Sequence, residues 1–277
     1  MSYNPGIGAT EELSLRVSVA TLVRVVFKHP LTGEIMLALE RKATVLQAAH
    51  EHIVEVKSQP FGGAIRILDV DAIHDLIGDF HFDSERSRTE QDFRLFIRPS
   101  SWSVLREFCI QHLSRVDDPI LETNPTRELI EEFDDALKVN LQPEQYSYKP
   151  VGTVVEDNPS PTENTNASGY PTVRVYRIFE ANILESTLAQ LMITNSERIS
   201  HNDLCELALA DFQNGGKGRV NAMLTLPFEH IIWAYEAISL TERNAPILFD
   251  EHYLDETVPA LLDDVPVPKY QRGKDNG

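Results

Sequence analysis

The residues best suited to chemistry lie between Thr123 and Leu137, in the run TNPTRELIEEFDDAL. A capping Thr or Asn, an early Pro125 and then strong helix formers predict a helix over this stretch. Glu128, Glu131, Glu132 and Asp135 are related by steps of three, four and seven, which places four carboxylates on one helical face. Leu129, Ile130, Phe133, Ala136 and Leu137 supply the buried side. Like charges at these spacings cost about 0.2 to 0.5 kcal/mol per pair, and a divalent cation offsets that cost. Mg²⁺ or Mn²⁺ prefers hard oxygen donors and bridges carboxylates to substrate phosphates, so the pattern suits phosphate chemistry. Arg127, beside the cluster, can orient a carboxylate or contact a phosphate.

Several elements must position these groups. RVSVATLVRVVF and EIMLALER, joined through Thr32-Gly33, read as two strands and a short turn. In HIVEVKSQPFGGAIRILDV, Pro60 and the Gly62-Gly63 pair separate two β-branched segments, and a turn of unusual geometry is expected there. Such a turn brings a backbone carbonyl within reach of a metal. Residues 69 to 123 change character, with charged stretches and the helix-like run SWSVLREFCIQHL, and read as an inserted element. VGTVVED and YPTVRVYRIFEANI read as strands flanking an exposed, mobile loop, NPSPTENTNASG. Residues 184 to 202 fit no single pattern; CELALADF reads as a short buried strand, NGGKGR as a turn and LPFEHIIWAYEAISL as a helix. No internal repeat is present, and strands and helices alternate without a strict βαβ rhythm, which predicts a mixed sheet flanked by helices.

Arg127-Glu128-Leu129-Ile130-Glu131-Glu132 resembles the core of the Nudix box, G-x5-E-x7-R-E-U-x-E-E-x-G-U, where U is a bulky apolar residue. The order strand, turn, strand, then PFGGAI resembles the approach to that box. The resemblance implies an α/β fold, a Nudix-like α/β/α sandwich with a mixed sheet and an inserted, partly helical element. It implies Arg127 as the residue orienting the catalytic Glu, Glu128 as base or additional metal ligand, Glu131 and Glu132 as metal ligands, and Gly62 as a carbonyl donor to Mg²⁺ or Mn²⁺, with Gly63 as the consensus glycine. The chain departs from the pattern in three places. Arg127 follows Gly63 by 64 residues where the family has 14, so about 50 residues must loop out. The upstream Glu falls at Pro119, with Glu122 the nearest alternative, and Asp134 and Asp135 replace the final Gly and apolar positions.

The implied activity is metal-dependent hydrolysis of a pyrophosphate bond in a nucleoside triphosphate, or in a nucleoside diphosphate linked to another group. Two other roles compete with it: a Nudix-like domain that senses a nucleotide without cleaving it, and an interaction domain whose acidic helix meets a basic partner. The expected organisation is a flexible leader at 1–14, a Nudix-like domain at 15–250 with its insertion at about 67–122, and an acidic, Pro-containing tail at 251–277. The insertion is expected to shape the substrate pocket or a homodimer interface.

Composition narrows the partners. With 277 residues and 25 Lys and Arg against 43 Asp and Glu, the net charge is -18, which repels nucleic acid polymers and anionic membranes while leaving room for a small nucleotide held locally. Cys109 and Cys205 form no CxxC pair, so neither a disulfide framework nor a zinc cage is indicated and a reducing cytoplasm is expected. No basic start leads into an apolar core, and no apolar run reaches 18 residues. His50-Glu51-His52 lacks zinc spacing, NGGKGR lacks P-loop spacing, and Trp102, Trp233 and Tyr235 are more simply packing residues than base-stacking ones. Lys217 and Arg219 at most assist substrate binding.

Overall fold

The Val-rich N-terminal run forms the centre of a nine-stranded mixed sheet, because alternate residues can be buried on both faces of a central strand. The structure, a computed structural model, describes residues 12–47, 52–161, 167 and 169–228. In order, β1 (Leu15–Lys28), β2 (Ile35–Gln47), β3 (His52–Gln59) and β4 (Phe61–Ala64) lead into an inserted unit. The insertion holds α1 (Val70–Ile77), β5 (His81–Phe82), α2 (Glu85–Glu90), β6 (Arg94–Ile97) and α3 (Trp102–Leu113). There follow α4 (Thr126–Leu137), β7 (Tyr146–Pro161), β8 (Pro171–Ile183), α5 (Ser186–Arg198), α6 (His201–Gln213) and β9 (Arg219–Pro227). The leader through residue 11, residues 162–166 and 168 of the expected loop, the LPFEHIIWAYEAISL run beyond Phe228 with Trp233 and Tyr235, and the tail lie outside the described residues, while residues 158–161 of that loop extend β7.

One edge of β1 runs parallel to β8 from Arg16 to Phe27, and β7 adds antiparallel to β8. The other edge is shared by three strands in succession: β2 pairs at Val25 to Lys28, β4 at Ala20 to Val23 and β6 at Leu15 to Ser18. Beyond that short contact with β1, β2 turns to β3 on one side while keeping β9 on the other. Pro60, with no N–H to give a ladder, marks the point where β3 passes into β4 and the chain crosses from β2 to β1. The sheet therefore splays between β1 and β2, and a helix can seat over the opening.

That helix is α4. Leu129, Phe133 and Ala136 pack with Val23, Val25, Phe61 and Phe179 of the sheet and with Leu188 and Met192 of α5. A second cluster joins Leu15, Val17 and Val19 of β1 to Ile73 of α1, Leu95 of β6 and Leu105, Cys109 and Leu113 of α3, so the insertion is built into the core. Its two ends are tied together. Isolated bridges join Arg66 to Asp92 and Ile67 to Leu121, and Glu122 N–H donates to Arg66 O at 3.0 Å. The chain leaves the sheet at Ile67 and returns beside it at Leu121, which delivers α4 back to β4.

Three sequence expectations change. Gly62-Gly63 is a short strand, β4, because β1 offers a free edge there. CELALADF lies inside α6: Ser200 and Asp203 form a capping box, and Leu204 and Ala208 bury one stripe against Ala43 and Val45. The ambiguous residues 184 to 202 resolve mainly into α5. The VNAML run after the NGGKGR turn is strand β9, and among the described residues no helix is long and apolar enough to cross a membrane.

Candidate active site

The Arg127 guanidinium organises the start of α4. Its Nε donates to Glu122 Oε2 at 2.9 Å, Nη2 lies 2.8 Å from the same oxygen, and Nη1 lies 2.7 Å from Glu128 Oε1. Nη2 also donates to the carbonyl of Ala64 at 2.9 Å, which fixes the helix to β4 across 63 residues of sequence. Four carboxylate and carbonyl contacts converge on one cation, and against the cost of burial Glu122, Glu128 and Glu131 hold the Arg127 charge more firmly than an ordinary arginine's. Glu122, the nearest glutamate to Pro119, stands one residue after the bridge at Leu121 where the insertion rejoins the sheet.

Gly63 is the other half of this junction. A Cβ built there would lie 2.2 Å from Glu128 Oε2, so the carboxylate occupies the space that a side chain would fill. At Gly62 the backbone takes φ +143°, and a Cβ would sit 2.0 Å from the carbonyl oxygen of Thr21. Each glycine is thus required by a close approach: Gly62 by the neighbouring strand, Gly63 by the helix's carboxylate.

The four carboxylates of the predicted face do not share one environment. Glu128 is 6% exposed, and burial, aided by Glu131, Glu122 and Asp92 and opposed by Arg127, pushes its carboxyl up to about 7. Glu132 is partly buried and faces Glu40 of β2, which is fully buried. Desolvation first, then the hydrogen bond and charge of Glu40, hold a proton on Glu132 well above the usual carboxylate range. Its Oε2 is buried with no hydrogen-bond partner. Glu131 and Asp135 are exposed, Glu131 lying 3.5 Å from Arg127 and Asp135 accepting from Asn221 at 3.4 Å.

Glu40 belongs to this centre and was not singled out by sequence. It accepts from Gln59 Nε2 at 2.6 Å, from Asn221 Nδ2 and from Lys42 Nζ at 3.4 Å. A signal for it does exist: in IMLALE, Glu40 falls on the same strand face as Met36 and Ala38, an inward position for a charged group. Asp92, buried beside Arg94, enters from the insertion, and burial raises its carboxyl above the usual range.

Arg127, Glu128, Glu132 and Asp92 line a cavity of about 1130 Å³, with Glu40 and Glu122 behind them. Gly62, Gly63 and Glu131 reach it, as do Lys217 and Arg219 from the turn before β9. Trp102 does not; its Nε1–H donates to Asp157 at 3.1 Å at the far side of α3. His52 opens β3 in an exposed position, its ring 4.9 Å from that of Phe212.

As the side chains lie, no group of three or more His, Cys, Asp or Glu among the described residues is arranged to hold a metal ion. The donor set is nonetheless of the kind a hard cation takes. Glu128 and Glu132 are carboxylates whose burial favours a proton, one oxygen has no partner, and a cation can replace the protons that now satisfy them. Comparisons with family models, curated proteins and solved structures find no match to this chain.

Proposed function

We propose that the chain is a Nudix-type hydrolase that cleaves a pyrophosphate bond in a nucleotide, with Mg²⁺ or Mn²⁺ bound at the start of α4. One observation carries the reading: Gly63 and Glu128 meet at van der Waals range although about 50 residues more than the family spacing separate the two halves of the box. A solvated acidic helix needs no such junction.

In this reading Glu131 and Glu132 would hold the cation, with the Gly62 carbonyl as a further oxygen donor at the cavity edge and Glu128 beside them as the base. When bound, the cation supplies charge neutralisation at the phosphoryl oxygens and activates the attacking water. Glu128, beside the cation, would take a proton from water as the water oxygen bonds to phosphorus and the bridging P–O bond breaks, its electron pair leaving with the departing phosphate. Arg127 positions Glu128 through the 2.7 Å contact and is itself fixed by Glu122 and Ala64, so the carboxylate cannot swing away. Glu40, held by Gln59, Asn221 and Lys42, faces Glu132 and adds to the burial that favours a proton there while no cation is bound.

The test is product release from nucleoside triphosphates, dinucleotides and nucleotide-sugars, with Mg²⁺, Mn²⁺ or chelator, comparing the natural chain with Glu132→Gln. Turnover that requires both the metal and Glu132 is expected. Turnover indifferent to Glu132→Gln removes α4 from the mechanism, and silence across the panel with nucleotide binding retained favours a sensing role.

A further inference from the structure

The cations of the cavity divide into two kinds. Arg127, Lys42, Arg86 and Arg94 each lie against a carboxylate, at Glu122, Glu40, Glu90 and Asp92. Arg66, Lys138, Lys217 and Arg219 also line the cavity, yet among the described residues none has a carboxylate within ion-pair distance. In a chain with 43 acidic residues against 25 basic ones, four unpaired cations facing one cavity are unusual.

With Lys138 exposed at the end of α4, Arg66 is the most telling of the four. It is half-buried two residues beyond Ala64, at the root of the insertion, and its Nε donates to the carbonyl of Glu90 at 3.2 Å. That bond fixes the plane of the guanidinium and leaves its two terminal nitrogens without a hydrogen bond, a fork that matches a phosphate. Lys217 stands on a turn that is itself fixed, and Arg219 opens β9 directly after it. Asp211 accepts from Gly218 N–H at 2.8 Å and fills the space beside Gly216, and Gly218 O accepts from Val45 N–H at 2.8 Å. The cavity, at about 1130 Å³, is larger than a mononucleotide needs.

We infer that the substrate carries an anionic group, a phosphate, beyond the two phosphates of the bond to be cleaved, and that Arg66 recognises it with Lys217 and Arg219 assisting. This rests on the hydrolase reading for the position of the cleaved bond, but not for the binding it predicts. The insertion thereby acquires a role: it supplies, through Glu90 and the Arg66–Asp92 bridge, the frame that holds Arg66 in place.

The experiment is calorimetric titration of the full chain with inorganic pyrophosphate and inorganic tripolyphosphate, with and without Mg²⁺, recording phosphate release in the same samples. A dinucleotide with and without a ribose phosphate forms a second arm, separating a longer phosphate chain from a remote phosphate. The natural chain should prefer the more highly phosphorylated ligand in one arm, and Arg66→Ala should weaken that ligand about 10- to 100-fold while the thermal midpoint stays near that of the natural chain. Arg66→Lys, which keeps the charge without the fork, and the pair Lys217→Ala with Arg219→Ala carry the test should Arg66→Ala fold poorly. No preference in either arm, or a preference that survives these substitutions, overturns the inference. Phosphate release without preference would do so while leaving the hydrolase reading intact; preference without release would do the reverse.

Discussion

Replacing Gly63 by Ala tests the junction on which the site depends. The added methyl would lie 2.2 Å from Glu128 Oε2, 2.7 Å from its carboxyl carbon and 2.8 Å from Oε1, whereas ordinary contact begins near 3.4 Å. The carboxylate must therefore retreat by about 1 Å, and it has little room: it is buried, and Arg127 holds its other oxygen at 2.7 Å. Gly63 does not have the positive φ of Gly62, so the backbone itself tolerates alanine and the whole effect lies in the carboxylate. Overpacking of this kind costs about 1 to 3 kcal/mol, and a 1 Å misplacement of a catalytic group costs roughly 100-fold in rate. Denaturant unfolding gives the first quantity and turnover of the substrate found in the nucleotide panel gives the second. Glu128→Ala supplies the internal control. In its background Gly63→Ala meets no carboxylate, so most of the stability penalty should vanish, leaving a coupling energy of about 1 kcal/mol or more between the two sites. A Gly63→Ala protein as stable as the natural one, or a penalty undiminished by Glu128→Ala, would refute the claim that these two residues share one space.

Two further outcomes follow from the same geometry. Gly62→Ala meets the Thr21 carbonyl at 2.0 Å from a φ of +143°, so backbone must give way; a loss of about 3 kcal/mol or more in denaturant unfolding is expected, and rescue by Glu128→Ala would contradict the assignment. The Glu128 carboxyl, raised to about 7 chiefly by burial, holds in the folded state a proton that the unfolded chain releases near its ordinary 4.5. Its contribution is therefore favourable below pH 4.5 and is lost as pH rises to 7, by at most roughly 3 kcal/mol. Glu128→Gln should flatten the stability profile across that window relative to the natural chain, and an unchanged slope would show that Glu128 does not titrate there.

Local sequence carried much of the site. The apolar period of α4 was readable because a helix is encoded by residues three and four apart, and Leu129, Phe133 and Ala136 do face the core as the period requires. The N-cap position falls to Pro125, which makes no side-chain cap, and not to the expected Thr or Asn. The strands β1, β2, β7 and β8 were readable for the same reason, with a period of two. Arg127, Glu128 and Glu132 came from one contiguous motif, and all three line the cavity. The capping box at Ser200 and Asp203 was equally local, yet CELALADF was misread, since a short apolar run has no period long enough to separate helix from strand.

What tertiary structure alone decided is which of these groups meet and in what state. Whether Gly62-Gly63 turns or pairs depends on a vacant edge of β1, a property of a strand some forty residues earlier. Whether Gly63 meets the start of α4 depends on the Ile67–Leu121 bridge and the Arg127–Ala64 hydrogen bond, contacts between residues far apart in the chain. The periodicity of α4 treats Glu128, Glu131, Glu132 and Asp135 alike; packing against β4 and β2 buries the first and third and leaves the others in solvent. Sequence spacing fixes the direction in which a side chain leaves its own element, and desolvation fixes its charge. Desolvation depends on what lies opposite, so Glu40 and the raised protonation of Glu128 and Glu132 emerge only when the sheet splays and α4 covers the gap.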